Sequence, residues 1–254
     1  MATDTRPYPL TRRRAADVAA AELRAFGDLL ASLGDTDWAL TTDCDEWTVR
    51  DVAAHVCGQY EELARPTTLL RRLRTGRRRY PDRIALDAHN QVQIDDLGRL
   101  PPAALVAHLA RYGPVAIRRI RLMPGVLRRI STERFYPEPP LAEPNLGYFV
   151  DVIVARDTWM HRIELSRATG RAFEVDDHDY EIVGQVVRDL DRGWRRPPLR
   201  LELTGPAGST WQIGGSAPVE SVTADTLAMM LHLSGRDGVE LPPDSPLEAA
   251  RVVF

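Results

Sequence analysis

The fold is decided by residues 146–170, which read LGYFVDVIVARDTWMHRIELSRATG. Apolar residues recur there at intervals of three and four, which predicts one long helix, and Gly170 is placed to end it. Asp157 and His161 lie four residues apart on this helix. Side chains at that spacing share one face, with Cβ atoms about 6 Å apart, so the pair can bind one metal ion.

Further segments with helical periodicity precede this stretch. Thr48 and Asp51 have the spacing of a capping box at the start of one of them, with Asp in place of the usual Glu or Gln. The pattern predicts a mainly helical domain over residues 1–172. The helices are expected at 11–34, 48–65, 84–97, 101–123 and 146–170.

The pattern of apolar and polar residues changes after Gly170. One more helical pattern covers 178–196, and two short alternating segments, 197–205 and 209–214, predict a pair of β-strands. Residues 222–236 read as a final helix that ends at Gly235. We therefore expect a small α+β domain over residues 176–254.

Composition excludes several classes of protein. The chain has 33 basic and 36 acidic residues, a net charge of −3, and all its basic residues are arginine. Without lysine there is no Schiff-base or P-loop lysine chemistry. The two cysteines, Cys44 and Cys57, cannot build a disulfide framework or a four-cysteine zinc site.

The same composition shapes the expected partners. No run of apolar residues is long enough to span a membrane, and the N-terminus does not read as a secretory signal, so we expect a cytoplasmic protein without a membrane partner. Balanced charge argues against a nucleic-acid partner. The arginine-rich residues 65–83 are interpreted as a solvated connector, and DNA binding through 71–79 is the weaker alternative.

His55 is the third residue of interest. It lies in the middle of a predicted helix among Val52, Ala53 and Val56, and is expected to face the core. From spacing alone two interpretations stay open, since a buried histidine can be a neutral, hydrogen-bonded core residue or a metal ligand. A bundle with two facing helices could bring His55, Asp157 and His161 together.

Two motifs carry a resemblance to a known family. DEWTVRDVAAHV, residues 45–56, and RDTWMHRIELSRATGR, residues 156–171, resemble segments of the mycothiol-dependent maleylpyruvate isomerase family. Weaker likenesses are DAHNQVQ, 87–93, and ADTLAMMLHLSGR, 224–236. The resemblance implies a mainly α fold with a smaller α/β part. That fold is a DinB-like antiparallel four-helix bundle followed by a small α+β domain.

The resemblance also implies a site and a chemistry. It makes His55, Asp157 and His161 the ligands of Zn²⁺ or another divalent metal, with mycothiol as the thiol cosubstrate. Beyond the metal-bound thiol, it implies no catalytic side chain. The family has Glu where this chain has Asp157, so the shorter side chain would require a closer helix or an intervening water. The expected activity is isomerisation, or transfer of the thiol to a small electrophile.

The expected partner is a small-molecule substrate, including carboxylated ones, and no oligomeric state is predicted. Arginine suits a carboxylate because it binds in a bidentate manner. The residues expected to line the substrate site are Arg50, Asn90, Arg156, Trp159 and Arg162. Two alternatives stay open. One is a thiol-free metal hydrolase or lyase. Glu61 and Glu62 are its candidate general bases, although they lie nearly two turns beyond His55. The other is a non-catalytic small-molecule-binding protein of this fold.

Overall fold

The computed structural model describes residues 7–44 and 46–254. The first six residues, and Asp45 of the first motif, lie outside the described residues. The chain separates into two compact units. One is Arg12–Phe173, and the other is Glu174–Phe254 together with the segment that ends at Thr11. The domain bounds 1–172 and 176–254 stay a prediction.

The first unit is helical. A short 3₁₀ turn, Asp37–Ala39, follows its first helix, and within the described part of the chain no helix is long and apolar enough to cross a membrane. Its α-helices are α1 (Arg12–Ser32), α2 (Val49–Ala64), α3 (Pro66–Arg79), α4 (Ala85–Leu97), α5 (Pro102–Leu122), α6 (Gly125–Arg128), α7 (Leu146–Tyr148) and α8 (Val154–Thr169).

Four long helices form the bundle that the resemblance predicts. α1 and α2 each pack against both α5 and α8, and this arrangement encloses the core. Phe26 of α1, Tyr60 of α2, Leu105 of α5 and Trp159 of α8 are all fully buried in it. α3 and α4 pack against each other and against α2, which adds a second layer on one side of the bundle. The predicted fold class is confirmed.

The arginine-rich segment departs from its prediction. Residues 66–79 form α3 rather than a solvated connector, with Pro66 in its first turn. Arg72 on this helix is only 1% exposed, because the side chains of Glu61, Glu62 and Asp96 bind it. Periodicity failed here because one arginine of the run faces inward, where buried carboxylates neutralise it.

The long helix that contains Asp157 and His161 is also not regular. A π-helical turn, Phe149–Ile153, lies between α7 and α8. Such a turn inserts one extra residue, which rotates the preceding side chains by about 100° relative to those that follow. Gly170 ends α8 in the left-handed conformation, with φ of 66°, as the sequence predicts.

The second unit contains a three-stranded sheet. Its elements are α9 (Asp177–Gly193), β1 (Leu199–Thr204), β2 (Thr210–Ile213), β3 (Glu220–Asp225) and α10 (Thr226–Leu233). The strand order is β2-β1-β3, with β1 antiparallel to β2 as predicted and parallel to β3.

The third strand is a correction. Residues 222–225 belong to β3 and not to the final helix, which begins only at Thr226. Asp225 ends the strand and caps the helix, since its side chain accepts a hydrogen bond from the backbone N–H of Ala228. The parallel pairing with β1 joins segments that are distant in sequence, so no local pattern reports it.

Candidate metal centre

The structure brings His55, Asp157 and His161 together. His55 lies on α2, and the other two lie on α8. One potential ligand atom of each residue lies within 4.8 Å of the others. His55 Nε2 is 3.4 Å from Asp157 Oδ2, and His161 Nε2 is 3.5 Å from Asp157 Oδ1. Both histidines are buried, so the cluster lies inside the helical bundle.

Local structure positions His55. Thr48 caps α2 with the predicted box: its hydroxyl accepts from the Asp51 backbone, and the Asp51 carboxylate accepts from the Thr48 N–H. Val49, Val52 and Val56 are buried on the same helix. The capped start and this apolar face together direct His55 into the bundle.

The cluster fits a divalent metal ion. Two ligand atoms of a tetrahedral zinc ion with bonds of 2.0–2.1 Å lie about 3.3 Å apart. The His55–Asp157 and His161–Asp157 separations, 3.4 and 3.5 Å, are close to that spacing. Asp157 thus reaches both rings although it is one methylene shorter than Glu. Moreover, the buried Nε2 of His55 makes no hydrogen bond with any residue that the structure describes.

Charges at the cluster complement one another. Burial favours the neutral acid, but the imidazoles of His161 and His55 outweigh it and hold the pKa of Asp157 well below its usual range. Burial likewise lowers the pKa of His161, but Glu164 and Asp157 outweigh it and raise this pKa to about 9. A metal ion at this position would therefore take the place of a proton.

A second layer of residues supports the cluster, and sequence reasoning missed it. Gln93 Oε1 lies 2.7 Å from His55 Nδ1, and Glu164 Oε2 lies 2.6 Å from His161 Nδ1. Gln59 donates from Nε2 to Asp157 Oδ2 across 2.9 Å. Helical spacing could have found two of them, since Gln59 follows His55 by four residues and Glu164 follows His161 by three.

The predicted Asn90 lies on the same helix as Gln93 and is half-buried. Gln93, the last residue of the weak motif at 87–93, is the α4 side chain that contacts His55. The motif thus lies on the helix that contacts His55, and a role of Asn90 in substrate binding stays a prediction.

The aromatic residue at the cluster is Trp47 rather than Trp159. The Trp47 ring lies 5.2 Å from the His55 ring and 6.0 Å from the His161 ring, and its side chain is partly exposed. Trp159 is fully buried and packs edge-on against Phe173. Trp159 is thus enclosed by the core, and its role in substrate binding stays a prediction.

The three flanking arginines lie in different environments. Arg50 donates to the Leu100 carbonyl, and Arg156 is buried within the bundle. Arg162 donates from Nε and Nη2 to the two carboxylate oxygens of Glu22 and stacks over Phe173. Those Arg162 donors already bind a carboxylate of the protein, and a role of Arg162 in substrate binding stays a prediction.

The two cysteines also differ. Cys57 is buried, its Sγ donates to the Leu105 carbonyl, and burial raises its pKa to about 12. Cys44 is partly exposed, and its Sγ donates to Glu164 Oε1 across 3.3 Å. Cys44 therefore contacts the residue that supports His161, whereas Cys57 is part of the core.

These observations define a class of protein: a helical bundle with a buried two-histidine, one-carboxylate cluster. Residues 19–166 match the model of the mycothiol maleylpyruvate isomerase N-terminal domain family. This match covers more than half of the chain, and the chain belongs to that family. The resemblance predicted from the sequence is confirmed, as is the prediction of an enzyme; of the two expected activities, isomerisation and thiol transfer, the family supports isomerisation.

Solved structures show the same fold. A crystal structure of the mycothiol-dependent maleylpyruvate isomerase superposes with a TM-score of 0.60 at 16% identity, covering 94% of this chain and 98% of that chain. A histidine-to-alanine mutant of that enzyme gives 0.59 at 15% identity, with the same coverage. No curated protein matches the sequence of this chain.

Proposed function

We propose that this protein uses a divalent metal ion, held by His55, Asp157 and His161, to activate mycothiol for reaction with a small electrophile. The observation that carries the proposal is the spacing of the three side chains together with the buried, unbonded Nε2 of His55. Family membership supports the choice of thiol. Zinc is the metal we favour, because two imidazoles and one carboxylate form a common catalytic zinc site.

When bound, zinc would supply the positive charge that holds a thiol as its nucleophilic thiolate at neutral pH. The protein's own residues supply the environment for this. His55 and His161 would each offer one ring nitrogen once a metal ion has taken the place of the proton, and Asp157 brings a carboxylate into a buried position. Because the chain supplies three ligands, a bound metal ion would keep one position open for the thiol.

The reaction that we favour is cis–trans isomerisation of a conjugated, small substrate such as maleylpyruvate. The thiolate adds to one alkene carbon, the former double bond rotates as a single bond, and the thiolate leaves. Atoms and charge are then the same before and after. Transfer of the thiol to an electrophile that carries a leaving group is the second activity, because it needs the same thiolate.

A thiol-free hydrolase would need a carboxylate free to act as general base. Arg72 donates to Glu61 Oε2 across 2.8 Å and to Glu62 Oε1 across 3.1 Å. These contacts disfavour Glu61 and Glu62 in that role.

The test is metal content per chain, measured in wild type, His161→Ala and a control, His232→Ala. His232 lies on α10, where Nε2 contacts the Leu247 carbonyl. We expect close to one zinc per chain in wild type and in the control, and little in His161→Ala. Turnover of maleylpyruvate should then require both zinc and added mycothiol. Unchanged metal content in His161→Ala, or turnover without thiol, would overturn the proposal.

A further inference from the structure

A chain of buried hydrogen bonds leads from the cluster into the second layer of helices. His55 Nδ1 contacts Gln93 Oε1, and Gln93 Nε2 donates to Glu62 Oε2 across 2.9 Å. Glu62 Oε1 in turn lies 3.0 Å from His89 Nε2. All four side chains are at least nine-tenths buried. Each group in such a chain constrains the direction of the next hydrogen bond.

The direction of the hydrogen bonds in this chain is decided at Glu62. Arg72 is permanently cationic and donates from Nη1 to Glu62 Oε1 across 3.1 Å, so this oxygen accepts. The other oxygen, Oε2, faces the Gln93 amide and also accepts. Gln93 must therefore direct its NH₂ group at Glu62, which leaves its carbonyl oxygen facing His55.

The consequence for His55 is a single tautomer. An amide oxygen only accepts, so Nδ1 of His55 must carry the proton that it shares with Gln93 across 2.7 Å. In the neutral ring the other nitrogen, Nε2, then has a free lone pair. This is the nitrogen that lies 3.4 Å from Asp157 Oδ2.

Asp157 by itself favours the opposite tautomer, because a carboxylate this close attracts a proton to Nε2. We propose that Glu62, acting through Gln93, is a positioning residue that holds the proton of His55 on Nδ1 and so keeps Nε2 available as a ligand. The part of this inference that concerns a ligand rests on the proposed metal site. The tautomer itself is a property of the metal-free protein.

The close packing of α2 against α4 permits the contact between Gln93 and His55. A Cβ added at Gly58 would lie 2.8 Å from Gln93 Cβ and 2.9 Å from Gln93 Cγ. Only glycine at this position lets the two helices approach closely enough for Gln93 to reach His55. Gly58 also accepts from Arg72 Nη1 through its carbonyl, which links the same helix to the charge that orients Glu62.

The test is ¹⁵N NMR of histidine-labelled, metal-free protein, with the His55 signals assigned from His55→Gln. The neutral ring should show a protonated Nδ1 and an unprotonated Nε2 in wild type. In Glu62→Gln, the new amide should direct its oxygen at Arg72, because Arg72 can only donate. Its NH₂ group would then face Gln93. The Gln93 amide would reverse, and the His55 proton would move to Nε2.

Glu61→Gln is the matched control, because Glu61 also binds Arg72 but is not a hydrogen-bond partner of Gln93. It should keep the wild-type tautomer. Gln93→Met, which removes the acceptor, should also move the proton to Nε2 and serves if Glu62→Gln fails to fold. A wild-type proton on Nε2, or a proton on Nδ1 in the folded Glu62→Gln or Gln93→Met variant, overturns the proposal.

Zinc affinity gives a second readout. Loss of a residue that orients a metal-bound histidine costs roughly 10–100-fold in affinity, so we expect that loss in Glu62→Gln and not in Glu61→Gln. Equal affinities in the two variants would contradict the role toward the metal. If wild type itself binds no zinc, the proposed function fails, while the NMR result still decides the tautomer.

Discussion

Gln59 donates a hydrogen bond from Nε2 to Oδ2 of Asp157 across 2.9 Å. Gln59 lies one turn after His55, so α2 supplies both an imidazole of the cluster and a support for the carboxylate on α8. The carboxylate is thereby held at 3.4 and 3.5 Å from the two rings. This relationship explains how an Asp can serve at a position where the resemblance leads us to expect Glu.

The first prediction concerns the length of that side chain. Because Asp157 already lies at ligand spacing and is held by Gln59, an added methylene should displace the carboxylate. We expect Asp157→Glu to bind zinc no more tightly than wild type, and Asp157→Asn to bind much more weakly because its amide has no negative charge. Competition with a chromogenic chelator measures both. Tighter binding by Asp157→Glu would show that Asp157 is too short.

The second prediction concerns Gly58. In Gly58→Ala the new Cβ would lie 2.8 Å from Gln93 Cβ, so α2 and α4 must separate. Such overpacking costs about 1–3 kcal/mol, and we also expect the contact between Gln93 and His55 to weaken. Urea unfolding measures the cost. Gly193→Ala is the control, since a Cβ there meets nothing within 4 Å, and equal stabilities of the two variants would contradict the prediction.

The third prediction separates two tryptophans. Trp159 is fully buried, so Trp159→Ala should lower the free energy of unfolding by about 3–5 kcal/mol. Trp47 is partly exposed and covers both imidazoles, so Trp47→Ala should change stability much less but release bound zinc faster. Thermal unfolding and stopped-flow chelation distinguish the two effects. A reversed pattern would assign the site role to Trp159 after all.

The fourth prediction concerns thiol reactivity. Burial raises the pKa of Cys57 to about 12, so at neutral pH its thiolate is scarce as well as inaccessible. Alkylation of the native protein with iodoacetamide should modify Cys44 and leave Cys57 intact, and both should react in urea. Mass spectrometry of the digested protein identifies the sites. Rapid native labelling of Cys57 would contradict its placement in the core.

The fifth prediction concerns pH and Asp96. Burial raises the pKa of this carboxyl, but Arg71 and Arg72 outweigh it and hold the pKa below its ordinary value of 3.8. A carboxyl with a lowered folded-state pKa contributes stability above its unfolded pKa and loses it as pH falls through the folded value. Asp96→Asn should therefore destabilise the protein at pH 7, and the difference from wild type should shrink in acid.

Urea unfolding over a pH series measures this difference. Asp82→Asn, at an exposed position in the turn before α4, is the control and should change the unfolding midpoint little. A difference between Asp96→Asn and wild type that grows as the pH falls would show that the ion pairs with Arg71 and Arg72 do not stabilise the fold.

Much of the fold could be predicted because its signals are local. The capping box of Thr48 and Asp51 and the left-handed Gly170 each depend on residues within one or two turns, and the structure contains both. The shared face of Asp157 and His161 follows from helix geometry in the same way. These features do not depend on how the helices pack.

Arg72 shows where local reasoning failed. In sequence it is one of several arginines in a polar run, and nothing nearby reports that three carboxylates of α2 and α4 surround it. The prediction missed the strand Glu220–Asp225 for the same reason, since this strand pairs with β1, which begins at Leu199. In both cases a distant segment supplies the energy that decides the local conformation.

The sequence by itself determined the long helices of the bundle, the capped start of α2, the end of α8 at Gly170 and the shared face of Asp157 and His161, because hydrogen bonds within a helix impose one fixed period on the side chains. Only the tertiary structure decided that His55 meets this pair, that Gln93 contacts the His55 ring, and that Trp47 rather than Trp159 lies against both imidazoles. Those contacts join different helices or follow from how a helix is rotated. That rotation is set by packing over the whole bundle, including the close approach at Gly58.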